Sequence, residues 1–431
     1  MIKIDIEKSV MECIENKHWT WFIDNYNSKL SIKDDKIMYR KYDNNNKKSI
    51  WIEIKNCEIR RLILYINKQN ILKSLVIGKL NEYEISNNII KYILLEFPKV
   101  FCKPILKSVG SYIKKKRSEL KNINRDSNEE IQKIKNDIKL FFLSNQDILK
   151  YYIKDMDNIE NKIESIIVTQ STIRNFSEKN FVEFIYDNNG LFEEVCEIFY
   201  ILFDYNLFIS ENPNSKWGAY QLLKELRINT CPYCNRNYIN TYVDNSGMCR
   251  ADIDHFYPKS KYPFLAVSLY NFIPSCHTCN SSFKNDIDTL LIPHLYPYVD
   301  EFGEDIKFRT NILNSNEYVQ CLLGNSDEFE IVIYNNNKYI EEKVNNSNNT
   351  FKLEKLYNFH KDYVKEVIKK TNIYNDAKVN ELLQLFPELF KNEEEIFTAV
   401  YSNYLSKSKF NKRPLSKLTK DIMDEYKIKS K

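Results

Sequence analysis

The stretch that decides the reading runs from Cys231 to Lys284. It opens with CPYCNRNYI, residues 231–239, and closes with DIDHFYPKSKYPFLAVSLYNFIPSCHTCNSSFK, residues 252–284. Two CxxC pairs frame it, Cys231/Cys234 and Cys276/Cys279. Zinc takes four ligands tetrahedrally, and a CxxC turn presents two thiolates from one tight loop. The two pairs together can close a single four-thiolate site. A closed site keeps no open coordination position, so its expected role is structural: it holds the intervening segment where the local apolar core is small. Cys249 lies between the pairs but lacks a partner at this spacing, and Cys13, Cys57, Cys102, Cys196 and Cys321 are isolated and read as core. His277, inside CHTC, could replace a cysteine on zinc, but four thiolates already suffice.

Outside this stretch the chain is less distinctive. Its 431 residues are 43% hydrophobic and 28% charged. That suits about two to four structural units with buried cores. Lys and Arg number 63 against 59 Asp and Glu, a formal charge of +4. This is not the strongly basic balance of a general nucleic-acid coat, so any such binding must come from local patches. The opening residues MIKIDIEKSVMECIENK have acids in their first turns and no long apolar run, unlike a signal peptide. The most apolar segment, Leu191 to Ile209, is interrupted by Glu193, Glu194, Glu197 and Asp204. It suits a buried amphipathic helix and not a membrane span. The expected setting is cytoplasmic, where thiols stay reduced and paired CxxC motifs point to metal. No Walker A pattern, dinucleotide fingerprint or serine-nucleophile elbow is present.

The expected fold class is α+β, predominantly helical, in four regions. Residues 1–105 mix helix and strand, with Trp19, Trp21 and Phe22 as core and the run Asp43-Asn44-Asn45-Asn46 as a turn between strand-like pieces. Residues 106–225 read as helical. Proline is absent from Lys107 through Ser210, and apolar residues recur at helical spacing, as in Phe181, Phe184, Ile185 and then Phe192, Val195, Phe199. Residues 226–295 hold the cysteine stretch. Residues 296–431 read as strands followed by helices, Phe329–Tyr334 being the clearest strand. The basic run Lys114-Lys115-Lys116-Arg117 reads as a solvated helix face, with a phosphate-contacting patch as the alternative.

Between the cysteine pairs lie the groups that phosphodiester hydrolysis needs. A base must deprotonate water, and the imidazole of His255 titrates near neutrality. A divalent cation must neutralise charge on the phosphate and on the leaving oxygen. Asp254 and Asn280 carry hard oxygens suited to Mg2+ or Mn2+. Neighbours on a regular strand face opposite ways, so Asp254 and His255 can serve one site only where the strand ends or bends. Asp252 shares a face with Asp254 and is an alternative ligand. Asn280 sits where a helix should begin, which also suits a plain N-cap. Lys284 follows one turn later on the same face. Lys259, Lys261 and Lys284 are candidate phosphate contacts.

The pattern CxxC…DHxxPKS…NFxPxCxxCNxxxK resembles the HNH endonucleases, the ββα-metal or His-Me finger family. The likeness covers Cys231–Lys284 only. It implies an embedded, zinc-stabilised ββα-metal nuclease module at 226–295, in which a β-hairpin and a following helix surround one catalytic metal. By this resemblance His255 is the general base, Asp254 and Asn280 bind the catalytic Mg2+ or Mn2+, and Asn271 orients the histidine-bearing loop. DNA is the implied substrate, cut to 5′-phosphate and 3′-hydroxyl ends, with RNA left open. Asn280 departs from the third histidine of the family name, which bears on metal preference. The segment DIDHFYPKSKYPFLAVSLYNFIPSC also resembles HNH proteins of bacterial anti-phage systems, some of which work beside an ATPase. A partner ATPase is therefore expected. The alternative reading keeps the zinc and drops the catalysis: a nucleic-acid-binding or ATPase-partner subunit.

Overall fold

The computed structural model describes residues 1–80, 85–121, 128–166, 183–186, 190–212, 216–244 and 247–429. Helix α1 (Lys8–Asn27) buries Met11, Ile14, His18, Trp21 and Phe22, a stripe at helical spacing. It leads into an antiparallel meander of β1 (Leu30–Lys33), β2 (Lys36–Asp43) and β3 (Lys48–Glu53). The expected turn between the last two strands is held by Asp43, whose Oδ1 accepts from the Asn45 amide at 2.9 Å. Helices α2 (Cys57–Ile66), α3 (Gln69–Ile77), α4 (Ile85–Glu96), α5 (Pro98–Lys121) and α6 (Asn128–Ser144) follow. Asn56 caps α2, accepting from the amides of Glu58 and Ile59.

The fold is predominantly helical with small sheets, as the composition and periodicity suggest. One local expectation fails. Phe184 and Ile185 do not continue a helix; Phe184 forms an antiparallel bridge with Ile153, and the Ile185 amide donates to Tyr152 O at 2.9 Å. A few apolar residues at compatible spacing cannot separate a helix from an extended piece buried by distant partners. Phe181 lies outside the described residues. The basic run on α5 is partly engaged: Lys116 meets Asp137 at 2.6 Å and Glu119 at 2.9 Å.

Beyond the helices Leu191–Leu202, Tyr205–Ser210 and Ala219–Leu226, the chain enters the cysteine stretch. A short ribbon, β4 (Tyr242–Val243) with β5 (Met248–Cys249), precedes the hairpin of β6 (Asp252–His255) and β7 (Phe272–Ser275). These two strands pair antiparallel from Asp252↔Ser275 to His255↔Phe272. A wide helical turn, Thr278–Lys284, follows at once. A third hairpin, β8 (Ile306–Ile312) and β9 (Phe329–Asn335), is backed by the helix Ser416–Lys429. Asp421 and Glu425 of that helix accept from the amides of Phe308 and Thr310 at 2.9 and 3.0 Å.

The loop between β6 and β7 decides how the site is held. From Ile253 to Cys276 every residue is buried except Lys259 and Ser260. Phe264 packs edge-on against Phe101 of α5, and His18 of α1 bonds Val267 O through Nε2 at 2.8 Å. Asp288 accepts from Tyr262 Oη at 2.9 Å and from Ser108 Oγ of α5 at 2.6 Å. The apolar cluster that encloses this loop is continuous from Met1 to Tyr426. Among the described residues, no helix is long and apolar enough to cross a membrane.

Candidate metal and hydrolytic site

The sulfurs of Cys231, Cys234, Cys276 and Cys279 all lie within 4.8 Å of one another, and all four residues are buried. Zn–S bonds of ~2.3 Å in a tetrahedron set neighbouring sulfurs about 3.8 Å apart. Cys234 Sγ and Cys276 Sγ are 3.9 Å apart. Local backbone geometry builds both knuckles. Asn235 turns back with φ 48°, its amide donating to Cys231 O at 2.7 Å. The Arg236 amide donates to Cys234 Sγ at 3.4 Å, and the Asn280 amide to Cys276 O at 3.0 Å. Burial pushes the Cys231 thiol well above its ordinary range, so the four sulfurs need a cation if they are to sit together as thiolates. The cluster fits a zinc ion. Among the described residues it is the one group of three or more His, Cys, Asp or Glu side chains that converge in this way.

One of the two residues between the first pair, Tyr233, carries this site into the hairpin. Tyr233 is fully buried and stacks on Phe351 with ring centroids 4.4 Å apart. Its hydroxyl donates to Asp254 Oδ2 at 2.6 Å. The other oxygen of Asp254 accepts from Lys284 Nζ at 3.1 Å, and Lys284 also donates to His255 O at 2.7 Å. Asp254 and Lys284 are 2% and 1% exposed, so this is a buried ion pair. A second rung lies beside it. Asp252 Oδ2 accepts from Asn280 Nδ2 at 3.1 Å and is 3.0 Å from His277 Nδ1. The helical turn thus faces β6 with Asn280 opposite Asp252 and Lys284 opposite Asp254. Its wide winding, with the Asn285 amide bonded to Asn280 O at 2.8 Å, sets that spacing. No hydrogen bond joins Asn280 to Asp254.

His255 is the last residue of β6, where the strand ends. Its Nε2 lies 2.9 Å from Ala266 O. A carbonyl only accepts, so Nε2 carries the proton and Nδ1 keeps a free lone pair. Among the described residues no partner for Nδ1 is seen, and the side chain is 8% exposed. Burial, together with the ammonium groups of Lys259 and Lys284, pushes the imidazole down to about 3, so the ring is neutral. Asn271 ties the ends of the loop. Its Oδ1 accepts from the Tyr257 amide at 2.7 Å, and its Nδ2 donates to Tyr257 O and Leu265 O at 3.0 and 3.2 Å. Leu265 precedes the carbonyl that holds His255.

Of the three lysines, Lys259 lies nearest open solvent. Its Nζ sits 4.0 Å from the ring centroid of Tyr205. Lys261 is turned into the core, 3% exposed, with Nζ 4.0 Å from Asp288 Oδ2, which leaves it a structural partner. His294 engages both ring nitrogens inside the fold, with Ile292 O and Thr350 Oγ1. Tyr205 and Tyr233 escape a reading by motif. Tyr205 lies outside the cysteine stretch in sequence, and Tyr233 is a variable position of CxxC, so no motif signals either.

Tyr233→Phe leaves Asp254 Oδ2 buried without its donor. The expected cost is about 1–3 kcal/mol, the penalty for an unmet buried polar group. Urea unfolding with zinc bound reads it, and an unchanged midpoint would show that the 2.6 Å bond carries no weight.

No family profile matches the chain, and no solved structure matches it at a significant level. Curated proteins match parts of it. The Septu protein PtuB of Bacillus thuringiensis is 34% identical over 107 aligned residues, 22% of this chain and 36% of that protein. Protein ea31 of Escherichia phage lambda is 32% identical over 88 residues, 20% of this chain and 25% of that protein. The chain covers a minor part of each relative's length.

Proposed function

We propose that the chain is a metal-dependent endonuclease of the HNH type that hydrolyses DNA phosphodiester bonds in anti-phage defence. The partial similarity to the Septu protein PtuB supports a defence role. One observation carries the chemistry: an imidazole at the end of β6 is fixed through Nε2 on Ala266 O, which leaves Nδ1 as its accepting nitrogen. In this reading His255 Nδ1 takes a proton from the attacking water. Ala266 O holds the ring in the tautomer that can do so, and Asn271 keeps the carbonyl's loop in place. Asp254 and Asn280, with Asp252 beside them, carry the hard oxygens that would hold Mg2+ or Mn2+, once the ion displaced Lys284 or Tyr233 from Asp254. Such a cation, when bound, supplies positive charge to the phosphate and the leaving oxygen. Lys259 adds a cation at the solvent side, and Lys284 pairs with Asp254 inside the fold. The thiolate-bound zinc is structural. A partner ATPase belongs to the same reading, and RNA is a second possible substrate of the same chemistry.

The test is incubation of supercoiled plasmid with Mg2+ or Mn2+, comparing the wild type with His255→Ala. The wild type is expected to nick, and the variant to lose about 10²–10⁴-fold of the rate. Equal cutting by both, or none by the wild type with either ion, overturns the proposal in favour of a zinc-stabilised binding or partner-holding subunit.

A further inference from the structure

Tyr205 lies outside the cysteine stretch, yet its ring touches two side chains of the candidate site. It meets the His255 ring edge-on, with centroids 4.6 Å apart and planes at 71°. Its face carries Lys259 Nζ at 4.0 Å from the centroid. The ring is held firmly. It opens the helix Tyr205–Ser210, whose N-cap Asp204 accepts from the Leu207 amide at 2.9 Å and from Lys29 Nζ at 2.8 Å. Phe272 of β7 supports it from below, with centroids 5.8 Å apart. Lys259 and Ser260 are the sole residues between Ile253 and Cys276 that escape burial. This lysine therefore emerges where the hairpin loop reaches water. A lysine at such a point ordinarily samples many rotamers, and ordering it costs entropy at each binding event. An aromatic face under the ammonium removes part of that cost in advance.

We propose that Tyr205 is a positioning residue that seats Lys259 beside His255, so that the pair forms a preorganised contact for one phosphate of a nucleic-acid backbone. The inference deepens the nuclease reading, since it assigns how the backbone is held next to the base. It also explains why a residue remote in sequence packs on the catalytic histidine. The ring closes one side of His255 and so fixes the direction from which a phosphate can approach.

The experiment measures binding of a short fluorescent DNA duplex by anisotropy, with the full chain, zinc bound and no divalent cation added. Lys259→Met and Tyr205→Leu are each expected to weaken binding about three- to tenfold. The double variant should bind no more weakly than either single one, because both remove the same contact. Tyr205→Phe, which keeps the ring, should recover most of what Tyr205→Leu loses. In plasmid cleavage the losses should appear in KM with little change in kcat. Additive losses, undiminished binding by Tyr205→Leu, or no duplex binding by the wild type each overturns the proposal. Because the binding arm needs no cleavage, the seat can stand while the nuclease reading falls, and the reverse also holds.

Discussion

Cys276→Ser is expected to abolish stoichiometric zinc and to unravel the hairpin region. Elemental analysis should fall from one zinc per chain to a small fraction. Hydrogen exchange should then rise through 228–284. The size follows from the binding free energy of structural zinc, about 10–16 kcal/mol at neutral pH. That rivals the whole stability of an ordinary domain, about 5–15 kcal/mol. The effect should travel, because the first knuckle is tied to distant parts of the fold. Tyr357 Oη donates to Cys234 O at 2.6 Å, and Asn235 bonds the segment around Phe410–Lys417. Tyr233 reaches Asp254 from the same loop. Chelation of the wild type should reproduce the variant's behaviour. A chain that melts at an unchanged temperature after its metal is removed would show that the four thiols hold no structural ion.

The second large effect is expected at Lys284. Lys284→Met leaves the carboxylate of Asp254 buried with Tyr233 as its remaining donor. Breaking a buried pair from one side costs about 3–5 kcal/mol, because the orphaned charge stays out of water. Thermal melting should show the loss directly. The triple variant Lys284→Met/Asp254→Leu/Tyr233→Phe should recover much of it, since it leaves neither a buried charge nor an unmet hydroxyl behind. Mn2+ should stabilise Lys284→Met more than the wild type, because the ion and the ammonium compete for one carboxylate. If Lys284→Met melts with the wild type, the 3.1 Å contact is energetically neutral and the competition argument fails.

The cysteine cluster is legible because its parts are two local CxxC turns, and their four sulfurs converge. The Asp-His pair and the asparagine after the last cysteine are equally local in sequence. The β8–β9 hairpin was half visible: Phe329–Tyr334 alternates clearly, whereas its partner at 306–312 becomes a strand through pairing and through Asp421 and Glu425 behind it. Long-range partners were not legible. Lys261 looked like its neighbour Lys259, yet one faces Asp288 in the core and the other lies on Tyr205 at the surface. Asn280 is expected to share a metal with Asp254, and its side-chain Nδ2 donates to Asp252 Oδ2, one rung away. Such choices depend on which distant element arrives, and spacing along the chain carries no record of it.

The enclosure of the β6–β7 loop limits how this hairpin can be handled. Phe264 and Val267 are met by α5 and α1, both supplied from outside 226–295, and Asp288, which holds Tyr262, is itself tied to Ser108 of α5. Cut free as 226–295, the fragment would present that greasy loop to water and clump, zinc or no zinc. The hairpin is therefore no portable cartridge: a chimera that transplants it must bring the helical cradle along.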